Sequence, residues 1–198
     1  MPNDLPVTGS SSGSEQSTTA PSGTTRGILD ATAIPKIAIS ELEEEDITLG
    51  FLDSLDNLIP GTSRLQPGHA REILKEIKSN PLHKIFVATT SAPTQEERPP
   101  FASRQVVGTT TLLIEPKFIL GGSRVGHIED VSVRTGFEKL GIGAKLVSHA
   151  VLQAEKAGCI KIVLDCSDST MRFYEKLGFS YQDNCMKKSP SSGAAQST

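Results

Sequence analysis

The chain has 198 residues, with 23 acidic against 20 basic side chains and a formal net charge of −3. That length suffices for one domain with a proper core, and the slightly acidic balance removes any sequence-wide pull toward nucleic acid or anionic membrane. The longest apolar runs, "VVGTTTLLI" and "IKIVL", are far too short to cross a bilayer, so neither nucleic acid nor a membrane is an expected partner.

The first 34 residues carry the tract "GSSSGSEQSTTAPSGTT", which cannot bury enough apolar surface to offset ordering. Residues 1–34 are expected to be a disordered tail, without a signal core and, given Asp4 and Glu15, without a transit peptide. "SPSSGAAQST" at 189–198 reads the same way, leaving 35–188 as the folded domain.

Within the domain, "ELEEEDITLGFLDSLDNL" spaces Ile47, Phe51, Leu55 and Leu58 at helical intervals, with acids early where the helix dipole favours them. "GHAREILKEIKSN" predicts a second amphipathic helix that stops before Pro81. "KIFVATT" and "QVVGTTTLLIE" are β-rich, joined by a proline-bearing loop, and "RVGHIEDVSV" predicts a third strand. "GIGAKLVSHAVLQAEKAG" puts Leu146, Val147, Ala150, Val151 and Ala154 on one helix face and ends on Gly158, suited to the residue after a helix. "CIKIVLDC" predicts a buried strand. "SDSTMRFYEKLG" predicts a short helix capped by Ser167 or Asp168 and closed by Gly178, and "FSYQDNCMKK" a last strand. The order α-α-β-β-β-α-β-α-β gives an α/β domain with a mixed sheet, its early strands joined by hairpins and its later ones by helices.

Cys159, Cys166 and Cys185 lack C-x-x-C spacing and paired histidines, so no metal site or disulfide framework is expected. They read as reduced, mostly buried thiols of a cytoplasmic protein.

Gly141 and Gly143 precede the long helix. Main-chain N–H groups at such a start have no helical partner, and residues without Cβ let an anion approach them. On these residues alone the pair is either a phosphate cradle or a plain helix start, because Leu146 occupies the third glycine place of a dinucleotide fingerprint.

"EPKFI", "GHIEDVSV", "LGIGAKLV", "GCIKIVLDC" and "FYEKLGF", in that order and spacing, resemble the GNAT acyltransferase superfamily and, within it, the eukaryotic glucosamine 6-phosphate N-acetyltransferase family. The resemblance covers about residues 37–188. It implies the GNAT fold, a splayed, mixed and largely antiparallel sheet with helices on both faces. It also implies a homodimer that uses acetyl-CoA as co-substrate, takes an amino-sugar phosphate as acceptor, needs no metal and feeds UDP-N-acetylglucosamine synthesis.

By the same resemblance, Val131, Ser132 and Val133 run along the thioester arm. Lys139, Leu140, Gly141, Ile142, Gly143 and Ala144 hold the diphosphate, and Tyr174, Glu175 and Lys176 also meet the cofactor. Tyr174 would protonate the departing thiolate, and Asp165 would orient the attacking amine and take its proton. Read without the family, Tyr174 is an aromatic packed beside Phe173, and Asp165 closes a strand or caps the next helix. Lys117, Phe118, Ile119, Leu120, Glu129, Asp130, Ile160 and Lys161 would contact the acceptor, with Lys117 and Lys161 near its phosphate. Glu129 and Asp130, as strand neighbours, face opposite sides unless a bulge turns both to the ligand.

The chain departs from the family pattern at several places. Glu138 and Lys139 stand where Gln or Arg and then Gly are common, and a carboxylate there would compete with a diphosphate. "DNLIPGT" puts Leu58 or Ile59 where a threonine-bearing segment is usual. Leu120 replaces a frequent histidine, and the C-terminus offers Lys187 and Lys188 instead of arginine. A different amine acceptor and a silent CoA-binding relative therefore stand beside the main reading.

Overall fold

The computed structural model describes residues 36–90, 104–119 and 121–189, all within one compact unit, Ile34–Thr198. The expected tails (save Ser189), the proline-bearing loop 91–103 and Leu120 lie outside the described residues.

Five strands form one open sheet in chain order: β1 (Ile37–Glu41), β2 (His83–Thr90), β3 (Gln105–Pro116), β4 (Arg124–Val133) and β5 (Cys159–Val163). The first four pair antiparallel and β5 joins β4 in parallel, as a helical crossover requires. The helices are α1 (Phe51–Leu55), α2 (Pro67–Lys78), α3 (Ile142–Lys156) and α4 (Asp168–Glu175), with short 3₁₀ turns at Glu44–Leu49 and Thr62–Arg64. This is the expected mixed, largely antiparallel sheet with helices on both faces.

Alternation along β2 builds two cores. Phe86 and Ala88 face α3 with Val107, Leu112, Ile128, Leu146 and Val147. Ile85 and Val87 face the opposite side with Val106, Phe51, Leu52, Ala70 and Leu74, under α1 and α2. Pro67 opens α2 at a position where its missing N–H costs nothing, and Lys75 and Lys78 close it against the dipole.

The structure differs from expectation at five places. The first predicted helix is broken at Gly50 into a 3₁₀ turn and α1, because Gly50 has φ +103° and a side chain there would meet Arg134 and the Val106 carbonyl. Leu58 accordingly lies exposed beyond α1. A strand not predicted, β1, pairs along β2 from Ile37 to Glu41. β5 is a strand but not a buried one, for Ile160 and Lys161 are exposed. Residues 180–189 form no strand: they run exposed and without regular structure, since strand propensity is realised only against a neighbouring edge. The thiols are corrected too: Cys159 is half-buried, whereas Cys166 and Cys185 are exposed.

Candidate active site

Where β4 leaves the sheet, its main chain is held on both sides. The buried Ser132 hydroxyl donates to the Ser54 carbonyl on α1. The Arg134 N–H donates to the Val107 carbonyl of β3 at 2.9 Å. The chain then turns through Gly136 and Phe137, whose N–H returns to the Arg134 carbonyl at 3.0 Å. Gly136 donates its N–H to the Glu138 carboxylate at 2.7 Å, so this acid is folded back into the turn. Lys139 has φ +63°, a glycine-like conformation at the position where the family commonly has glycine.

Gly141 caps α3 at φ +75°, again left-handed, without a side-chain cap. The first helical bond runs from the Lys145 N–H to the Gly141 carbonyl at 3.1 Å, which leaves the N–H groups of Ile142, Gly143 and Ala144 without an i−4 partner. Ile142 is buried in the core beside Leu146, so these donors sit on a rigid base. The two glycines differ. Nothing lies within 4 Å of a Cβ built on Gly141, whereas one on Gly143 would stand 3.4 Å from Phe173 Cζ. Gly141 thus answers to backbone conformation, whereas a side chain at Gly143 would only touch Phe173 of α4 at ordinary contact distance. The result is a cluster of fixed donors at a helix start, a site for an anion such as a diphosphate.

Residues of β5, α4 and the segment after it line an open cavity of about 490 Å³, Lys161, Asp165, Cys166, Tyr174, Glu175 and Cys185 among them. β5 delivers Asp165 two residues past its end, and α4, started by Ser167, delivers Tyr174 one residue before its last. Tyr174 meets Phe173 and Phe179 edge-on, with centroids 4.9 and 6.0 Å away. Burial, then the neighbouring Cys166, pushes its phenol above the ordinary range, so it keeps its proton at neutral pH. Asp165 accepts the Cys185 thiol at 3.2 Å, and that contact raises the thiol's pKa.

The expected alternative of a bulge is present in β4. Glu129 pairs with Thr111 and Ser132 with Thr109, so two residues oppose Thr110, and Asp130 sits at φ +50°. Glu129 has its pKa raised by burial first, then by Asp165 and Asp130. Three carboxylates therefore share one field, which favours the protonated form of Glu129.

Of the residues singled out in the sequence, Lys161, Asp165, Tyr174 and Glu175 share the cavity wall, and Glu129 and Asp130 couple to it electrostatically. Lys139–Ala144 form the turn into α3, and Val133 at the end of Val131–Val133 lies beside Gly143. Lys117, Phe118 and Ile119 lie apart, in the β3–β4 connection. Lys117 pairs with Glu115, which also accepts from His127, and Phe118 and Ile119 project into solvent. Ile160 and Lys176 are exposed and are not part of the cavity wall. Sequence reasoning missed Cys185, which has no motif spacing, and Asn57, whose contacts are described below.

The family model of the acetyltransferase (GNAT) family matches residues 68–179. The chain is 41% identical to the glucosamine 6-phosphate N-acetyltransferase of Trypanosoma brucei brucei over 83 residues, 42% of this chain and 56% of that protein. The chain thus spans little more than half the length of that relative. It is 33% identical to the Arabidopsis thaliana glucosamine 6-phosphate N-acetyltransferase over 151 residues, covering 76% of this chain and 94% of the relative. The crystal structure of glucosamine-6-phosphate N-acetyltransferase from Arabidopsis thaliana superposes with a TM-score of 0.67 at 29% identity, over 78% of this chain and 98% of that one.

Proposed function

Because the chain belongs to the GNAT acetyltransferase family, we propose that it transfers the acetyl group of acetyl-CoA to the 2-amine of D-glucosamine 6-phosphate by direct attack in a ternary complex. The observation that carries the reading is a shared cavity wall holding Asp165 and a protonated Tyr174. The relatives that bear this activity in their names support the choice of acceptor.

In this reading the free N–H groups of Ile142, Gly143 and Ala144 hold the diphosphate, and the Val131–Val133 main chain lies along the thioester arm. The acidic field of Glu129, Asp130 and Asp165 draws in the ammonium form of the amino sugar. Transfer needs the neutral amine: Asp165 orients it, and Glu129, whose pKa is raised, replaces Asp165 as the acceptor for the proton it sheds. As the C–S bond breaks, the electron pair stays on sulfur, and Tyr174 supplies the proton that turns thiolate into thiol. No covalent enzyme intermediate is required, so Cys166 and Cys185 are not nucleophiles.

The active form is a homodimer. Lys161 lines the cavity of its own chain, whereas Lys117, Phe118 and Ile119 do not. A second copy would bring that exposed connection to the sugar phosphate, with Lys117 as its point-charge partner. The protein acts in the cytoplasm, in keeping with three unpaired thiols.

Purified protein mixed with acetyl-CoA and glucosamine 6-phosphate should release free thiol in proportion to acceptor consumed. Bound acetyl-CoA without thiol release would overturn the reading. Faster release with a non-phosphorylated amine would transfer it to another acceptor, an outcome to which the departures at Leu58, Ile59 and Leu120 give weight.

A further inference from the structure

We infer that Asn57 is a positioning residue for the acetyl-CoA turn, an inference that rests on the function proposed above. α1 is a single short helix, too short to persist by itself. It is pinned below by Phe51 and Leu52 in the core and above by the contact between the Ser54 carbonyl and Ser132. Two residues past its end, the Asn57 amide uses both of its ends on the exit of β4. Its Nδ2 donates to the Val133 carbonyl at 2.5 Å, and its Oδ1 accepts the Thr135 hydroxyl at 3.0 Å. Between these residues, Arg134 gives its N–H to Val107 at 2.9 Å and brings its guanidinium within 3.9 Å of Asp53.

The brace therefore holds the last peptide of the strand from the α1 side while β3 holds it from the other. The next residues are Gly136, Glu138 and Lys139, and after them the free amides at Ile142–Ala144. A strand that left the sheet at another angle would carry those amides away from the thioester arm. Asn57 itself is exposed and belongs to neither core. Its two aimed hydrogen bonds thus direct the chain more than they stabilise the fold. The polar residue after the short helix, unremarkable in the sequence, becomes the link between α1 and the cofactor end of the site.

The test compares wild type, Asn57→Ala, Asn57→Asp and Thr135→Val by calorimetric titration with CoA, by steady-state kinetics and by thermal unfolding. Asn57→Ala should weaken CoA binding and raise the KM for acetyl-CoA by about fivefold, the loss expected from one or two hydrogen bonds, with kcat within about twofold. Asn57→Asp should weaken CoA at least as much, because a carboxylate then faces the Val133 carbonyl, and Thr135→Val should lose less. An unchanged CoA affinity in Asn57→Ala would overturn the inference. So would a fall confined to kcat, or a variant that fails to fold while Thr135→Val binds CoA normally. If wild type binds CoA but does not acetylate glucosamine 6-phosphate, the proposed reaction falls, and the CoA affinities still decide the role of Asn57.

Discussion

The two ends of the candidate site are built differently. At the cofactor end, main-chain donors stand on Ile142, which is buried in the core, and the approach to them is braced from α1 and β3. At the other end the candidate groups are side chains at the edge of the sheet: β5 is half-exposed, and residues 180–185 line the cavity without regular structure. Amide donors do not depend on which side chain occupies a position, so Glu138 and Lys139 can depart from the family pattern without removing the anion site. Side-chain recognition has no such tolerance. In the proposed reaction, departures near the acceptor would therefore bear on which amine is used, and departures at the turn on how tightly acetyl-CoA is held.

The contrast is broken most directly through stability. Leu146→Ala, at a fully buried position on α3, should cost about 3 kcal/mol in denaturant unfolding. Ile160→Ser on β5, where the side chain is 60% exposed, should cost less than about 0.5 kcal/mol. A large loss from Ile160→Ser would mean that a partner copy covers this face in solution.

Next in size is Tyr174→Phe, which removes a proton donor needed only as the thiolate leaves. It should lower kcat about a hundredfold and leave CoA affinity, measured by calorimetry, nearly unchanged. An unaltered kcat would assign the proton to water.

Glu138→Gln tests the cofactor end. The amide oxygen still accepts the Gly136 N–H, so the turn is kept while its negative charge is removed. Acetyl-CoA should bind about threefold tighter, the scale of one screened surface charge. Weaker binding would make the carboxylate a necessary part of the turn.

The smallest effect is expected from Asp130→Asn, a substitution compatible with the left-handed backbone there. Burial, Asp165 and Asp130 all raise the pKa of Glu129, so its carboxylate protonates at a higher pH than an ordinary glutamate. The acid limb of kcat/KM should therefore lie above the usual carboxylate range. Without the charge of Asp130 it should move to lower pH. A limb that stays in place would remove Glu129 as the titrating base.

Much of the fold was legible in the sequence. The α3 stripe from Leu146 to Ala154, the β-rich runs of β2 and β3 and the glycine stop signals are local patterns that burial and backbone conformation write directly into residue choice. β1 was missed because five residues at a sheet edge leave too short a pattern to separate from a loop. "FSYQDNCMKK" was read as a strand because its composition permits one, although no neighbouring edge is paired with it. Lys139 was noticed as a departure, but only the backbone shows that its place demands a glycine-like φ.

Local pattern was enough for α2, α3, α4 and β2 to β5, their order, and the residue types that carry charge and protons, because periodicity, capping and side-chain chemistry act over a few neighbours. Only the tertiary structure decided that Asp165 and Tyr174 share a cavity wall, that a bulge turns Glu129 and Asp130 into one field with Asp165, and that Asn57 holds a strand end 76 residues further along. Those are distances between segments remote in the chain, set by how two cores close on one sheet, and no local pattern records them.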